Sequence, residues 1–170
     1  MSREYSGERP WRRVSTIYTM PAPAAGADFT ITVPAGKLWD VVVIYATLTT
    51  AVAVASREAD ITFGDGNALF ASVGPAAVQA ASLADRYLWA VGLTNEVAGS
   101  SQSQAIPSLR LLPGWTIASV TANIQAADQW SAQKLYVVET TLRGGDINFE
   151  DVPELMVELA MMPQGMSPGE

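Results

Sequence analysis

Apolar and polar positions alternate with a period of two through most of this chain. Phe29-Thr-Ile-Thr-Val33 alternates and runs into Pro34-Ala-Gly36, where Pro presets φ and Gly supplies a left-handed position, so a strand and its corner are predicted there. Leu38 to Leu48 is a long β-branched run, apolar on both faces, the pattern of a central strand buried between two layers. Ala59 to Phe63 and Leu69 to Val73 flank Gly64-Asp65-Gly66-Asn67, a strong hairpin signal. Tyr87 to Val91 and Pro107 to Leu112 read as further strands. Between them, residues 95–104 form a Gly/Ser/Gln stretch of low complexity that reads as a flexible or partner-facing loop, and residues 76–84, rich in Ala and Gln, read as another loop. In Trp115 to Gln125, Ala118, Val120, Ala122 and Ile124 share one face opposite Ser119, Thr121 and Asn123, the alternation of a half-buried strand with its apolar set inward. Lys134 to Leu142 closes the series.

These strands predict an all-β fold, an antiparallel β-sandwich or jelly roll of about eight strands spanning residues 21–143. Residues 1–20 are expected to form an N-terminal arm and residues 144–170 an acidic C-terminal tail. Within the tail, Val152, Leu155, Met156, Leu159 and Met162 keep helical spacing behind Pro153-Glu154, which predicts a short amphipathic helix that must dock on something to be stable.

Composition narrows the chemistry. The 170 residues include no Cys and no His, which excludes disulfide frameworks, Cys or His zinc sites, haem attachment and Cys-His or Ser-His catalysis. Glu58, Asp60 and Asp65 lie close together, but their spacing fails the EF-hand pattern, and Asp65-Gly66-Asn67 reads as a hairpin tip. No carboxylate pair, phosphate-cradling Gly loop or dinucleotide fingerprint stands out, so no catalytic, cofactor or metal site is predicted and the chain reads as non-enzymatic.

Charge is uneven along the chain. Residues 1–13 hold four Arg against two Glu, residues 14–145 hold six basic against nine acidic, and residues 146–170 hold six acidic and no basic residues. An acidic tail behind a weakly charged body argues against nucleic acid as the main partner. The start is polar, without the apolar core of a secretory signal, and the longest apolar stretch, Leu38 to Ala55, is interrupted by Asp40 and threonines, so neither export nor a membrane span is expected.

The aromatics Trp39, Tyr45, Trp89, Trp115 and Tyr136 fall in or beside strands and are expected to pack the core. Trp130 falls in a predicted connection, as either a cap on the sandwich or a contact with a neighbour. Trp11 beside Arg12-Arg13 suits an arm that docks, and the Met-rich end suits adaptable contact. Trp11, Arg12, Arg13, Trp130, Leu155, Met156, Leu159 and Met162 are therefore the candidate partner-interface residues.

Several segments together carry a resemblance: Val33-Pro-Ala-Gly-Lys-Leu-Trp39, the apolar strand followed by Thr47 to Thr50, Arg57 ahead of Ile61-Thr-Phe-Gly-Asp65, the Gln/Ala segment near 79–85, Leu111-Leu-Pro-Gly-Trp-Thr116, and Ala127-Asp-Gln-Trp130 before a Val-rich strand. Over about residues 28–142 the chain resembles small tailed-bacteriophage virion proteins of the capsid decoration or cement type. The resemblance implies a structural protein on the virion, made in the host cytoplasm. It implies a homo-oligomer, expected as a trimer, that binds the major capsid protein or other virion proteins and takes no cofactor. A ring-forming head-to-tail or tail component and a carbohydrate- or receptor-binding sandwich are the alternative readings.

Overall fold

The computed structural model describes residues 11–142. Among them are eleven strands and no helix. A mixed seven-stranded sheet comprises β1 (Trp11–Thr19), β11 (Gln129–Leu142), β3 (Lys37–Thr49), β6 (Ala84–Val91), β8 (Ser101–Ile106) and β7 (Glu96–Ala98) in that order, with β9 (Arg110–Leu111) also pairing with β3. A four-stranded sheet orders β2 (Thr30–Thr32), β10 (Thr116–Ala122), β4 (Glu58–Gly64) and β5 (Leu69–Val73). Both sheets contribute to one apolar core, the arrangement of a β-sandwich.

The long apolar run is the central strand β3, held by β11 on one side and by β6 and β9 on the other. Only one of its faces is fully buried. Trp39, Val41, Ile44, Ala46 and Leu48 point into the core. A register shift against β11 at Tyr136/Val137 absorbs one extra residue, which is why Val41 and Ile44 both face inward. Its other face, with Tyr45, is half-buried, as is Tyr136 on β11, so these two tyrosines lie outside the core expected for them.

The corner after β2 forms as its residues dictate: Lys37 N–H donates to Pro34 O at 3.2 Å and Gly36 has φ of +72°. The Asp65 hairpin forms likewise. Its Oδ1 accepts from the backbone N–H of Asn67 at 2.8 Å and of Ala68 at 2.7 Å, and these bonds hold the carboxyl below its ordinary pKa.

Four expectations are corrected. The arm predicted for residues 1–20 is a strand from Trp11 onward, because this segment pairs with β11 along its whole length, from Trp11 opposite Leu142 to Thr19 opposite Lys134. The low-complexity stretch at 95–104 is the β7–β8 hairpin, and β8 runs parallel to β6, so the sheet is mixed rather than antiparallel. Gln102 and Gln104 point into the interior there. Gln102 Oε1 accepts from Ala77 N–H at 3.0 Å, and beside it Tyr87 donates its hydroxyl to Gln79 Oε1 at 3.0 Å. In β10 the faces are inverted. Ser119 and Thr121 are buried and Val120 is half-exposed, because Asp28 reaches under the strand to accept from Ser119 Oγ at 2.8 Å, Thr121 N–H at 3.0 Å and Thr121 Oγ1 at 2.6 Å. Finally, Trp130 lies within β11 and not in a connection. It is fully buried, and its indole N–H donates to Asp28 Oδ1 and Thr121 Oγ1, both at 3.2 Å, which removes it from the candidate interface.

Candidate docking surface

Two arrangements are costly enough in burial or in exposed apolar area to call for an explanation. The first lies at the end of the sandwich where β3 leads toward β4. After Thr49 the chain leaves the sheet as Ala51-Val52-Ala53-Val54-Ala55, with Val52 83% and Val54 97% exposed. Two exposed valines on an ordinary loop would mean little. Here they sit on a loop that is fixed from beneath.

Arg57 and Asp128 supply the fixing. Both side chains are fully buried. Arg57 Nε and Nη2 donate to the two oxygens of Asp128 at 2.9 and 3.0 Å, a two-pronged fork, while Nη1 donates to the carbonyls of Ala53 at 3.0 Å and Ala55 at 2.7 Å. Asp128 in turn accepts from the N–H groups of Ala51 at 2.7 Å and Gln125 at 2.8 Å. The ion pair thus binds both ends of the valine loop and the turn after β10 into one unit. Burial pushes the Asp128 carboxyl up, but the bonds from Arg57, Ala51 and Gln125 outweigh it and hold its pKa below the ordinary value.

Neighbouring chain completes the surface. Residues 79–83 zip alongside: Arg57 and Gln79 exchange backbone bonds at 2.9 Å in both directions, Thr50 N–H donates to Leu83 O at 2.8 Å and Ser82 N–H to Ala51 O at 3.0 Å. Gln79 itself is buried and donates to Leu48 O at 2.9 Å. Leu83 on this segment and Val78 just before it are exposed as well. Gly26, with φ of +73°, donates to Asp128 O at 2.7 Å, and a Cβ there would lie 2.8 Å from Ala126 Cα, so this end packs backbone against backbone.

The second arrangement is on the β1 side. Lys37 Nζ donates to Glu139 Oε1 at 2.7 Å, Trp39 Nε1 donates to Glu139 Oε2 at 3.0 Å, and the Tyr18 hydroxyl donates to the same oxygen. Burial first, then the bond to Glu139, pushes the Tyr18 phenol up to about 12. Tyr87 is raised too, chiefly by burial. Because the folded pKa lies above the unfolded value, the native state holds the Tyr18 proton more tightly. Its contribution to stability is present below about pH 10 and is lost as pH rises toward about 12. An ultraviolet phenolate titration is therefore expected to leave Tyr18 and Tyr87 un-ionised through pH 10, with their ionisation and unfolding arriving together at higher pH.

Of the sequence-predicted interface residues, Trp11 and Arg12 lie at the start of β1, opposite Leu142 and Thr141. Arg13 is exposed and donates to Asp40 Oδ2 at 2.9 Å, beside Arg110, which forks onto the same carboxylate at 2.7 and 3.0 Å. Leu155, Met156, Leu159 and Met162, with the predicted helix, lie outside the described residues. Of the described ones, Trp11, Arg12 and Arg13 lie at the end of β11 away from Gln129 and so away from the valine loop. Sequence reasoning missed that surface, although Arg57 beside an Ala/Val run and Asp128 just ahead of Trp130 were its signals.

No protein-family model, curated protein or solved structure matches this chain. Among the described residues no helix is long and apolar enough to cross a membrane.

Proposed function

We propose that this chain is a non-enzymatic structural protein that works by docking, a capsid cement or decoration protein of a tailed-bacteriophage virion, with the valine end of the sandwich as the face that seats on the shell. The observation that carries the docking reading is the Arg57–Asp128 pair, fully buried beneath an exposed apolar loop. Burying two charges yields little net stability compared with apolar packing of the same volume, so its retention points to the loop shape that it enforces. A rigid apolar projection loses little conformational entropy on binding, which favours a permanent contact with an irregular protein surface. The virion reading is supported by the resemblance over residues 28–142, whose segments fall on the corner after β2, on Arg57 and on the turn that carries Asp128. The homo-oligomeric state and the acidic tail remain part of the proposal.

The carbohydrate-binding alternative gains nothing from the tryptophans whose side chains are described. Trp39, Trp89 and Trp130 are buried and Trp115 packs against Phe70, ring centroids 4.8 Å apart, so none of the four offers an open face for a sugar ring.

Co-sedimentation with capsids of the virus that encodes the chain tests the proposal. The wild-type chain should saturate particles at a fixed stoichiometry. The Val52→Ser/Val54→Ser variant should keep the wild-type melting temperature within about 2 °C, since both residues are solvent-exposed, yet bind at least tenfold more weakly. Absence of binding by the wild-type chain would overturn the capsid reading, and unchanged binding by the variant would overturn the assignment of the docking face.

A further inference from the structure

The open edge of β1 differs from every other sheet edge among the described residues. The edge strands β2 and β7 have three residues each, and β5 meets β4 through a register shift, all of which blunt pairing with another chain. β1 has nine residues, no proline and no bulge against β11, and of the positions 12, 14, 16 and 18 that share one face only the end position, Arg12, is a charged residue. Its outer face leaves Ile17 67% exposed.

Backbone parity fixes which groups are open. Met20 N–H donates to Gln133 O, so the even-numbered residues of the unbroken β1–β11 ladder bond toward β11, and Trp11, Arg13, Ser15, Ile17 and Thr19 turn their N–H and C=O groups outward. These positions are symmetric about Ser15. Two copies of β1 laid antiparallel on a two-fold axis at Ser15 set Trp11 opposite Thr19 and Arg13 opposite Ile17. Every outward group of each strand then has a partner, and inner and outer faces stay continuous. The register is also suited in charge: Arg12 and Arg13 of one copy fall opposite uncharged Tyr18 and Ile17 of the other.

We propose that a second copy of this chain pairs with β1 in this register, joining two seven-stranded sheets into one through a two-fold axis at Ser15. The homo-oligomer built this way is a dimer, in place of the expected trimer. The inference does not rest on the capsid reading, and its test involves no capsid.

The full-length chain is measured by sedimentation equilibrium alongside Ser15→Pro. Proline here removes an outward N–H, at a position where edge strands tolerate it, together with the exposed bond that the Tyr136 hydroxyl donates to Ser15 Oγ at 3.2 Å. The wild type should sediment at twice the 18.1 kDa chain mass, and Ser15→Pro at half the wild-type value with the folded circular dichroism spectrum retained. A second variant works without that substitution. The chain contains no Cys, so full-length Ser15→Cys should form a covalent dimer under mild oxidation or with a short bismaleimide, whereas Ser72→Cys on the β5 edge should not. A monomeric wild type, a trimer, or failure of Ser15→Cys to cross-link would overturn the proposal. A monomer in the full chain that becomes a dimer only after residues 143–170 are removed would instead assign the edge to the chain's own C-terminal segment.

Discussion

Asp128→Ala is expected to destabilise the domain by about 3–5 kcal/mol, because it leaves the Arg57 guanidinium with no exposed surface and no counter-charge. For a domain of this size such a loss corresponds to a fall in melting temperature of roughly 10–20 °C. Two further consequences separate this loss from that of an ordinary surface pair, which is worth about 0–1 kcal/mol. The backbone N–H groups of Ala51 and Gln125 lose their acceptor, so the valine loop and the turn after β10 should both lose amide-exchange protection. The double variant Arg57→Met/Asp128→Leu should recover part of the stability by removing the stranded charge, but not all of it, since those two N–H groups stay unpaired. Acid gives the same answer without mutation. The carboxyl titrates lower folded than unfolded, so its contribution is present above about pH 4 and is lost as pH falls through the depressed folded value. Thermal melts of wild type and Asp128→Ala across acid pH should therefore converge. A fall of less than about 1 kcal/mol for Asp128→Ala would mean that the pair is solvated and does not hold the loop.

What the chain made legible was what local alternation controls. The β3 run, the Pro34-Ala-Gly36 corner and the Asp65 hairpin were readable because neighbouring residues alone dictate them. What was hidden depends on groups distant in sequence. β10 inverts its faces because Asp28, more than ninety residues upstream of Thr121, satisfies the hydroxyls of both Ser119 and Thr121 from within. With that carboxylate in place, burying Ser119 and Thr121 leaves no hydroxyl unpaired. The β7–β8 hairpin was obscured for the same reason: Gln102 faces inward because Ala77, Asp85 and Tyr87 meet its amide there, and composition carries no trace of that meeting. The valine loop was concealed differently. Leu38 to Ala55 is apolar on both sides of Thr49, and hydropathy does not mark that residue as the point where the strand ends. Arg57 is the local clue, since a cation that follows such a run must either return to solvent or find a buried acid, and Asp128 is that acid.

Trp130→Ala is expected to cost about 3–5 kcal/mol, the loss for truncating a fully buried large aromatic. The indole sits edge-on to Phe29, with centroids 5.3 Å apart and planes at 89°, and is tilted against Tyr87 at 5.6 Å and Trp89 at 6.5 Å, so its removal opens the centre of the aromatic cluster that joins the two sheets. Trp130→Phe separates packing from polarity. It keeps most of the ring volume but loses the N–H shared between Asp28 and Thr121, and should cost about 1–2 kcal/mol. Asp28 would still hold Ser119 and Thr121, so β10 should keep its inverted faces in that variant. Urea unfolding followed by far- and near-ultraviolet circular dichroism measures both: the Ala variant should lose the near-ultraviolet aromatic signal with much of its stability, and the Phe variant should move only slightly. An interface tryptophan behaves in the opposite way, since its truncation weakens association and leaves the monomer's unfolding midpoint nearly where it was. A Trp130→Ala chain as stable as wild type but deficient in assembly would return this residue to the surface. The burial of its indole and the acceptors waiting for its N–H argue that it holds the sheets together instead.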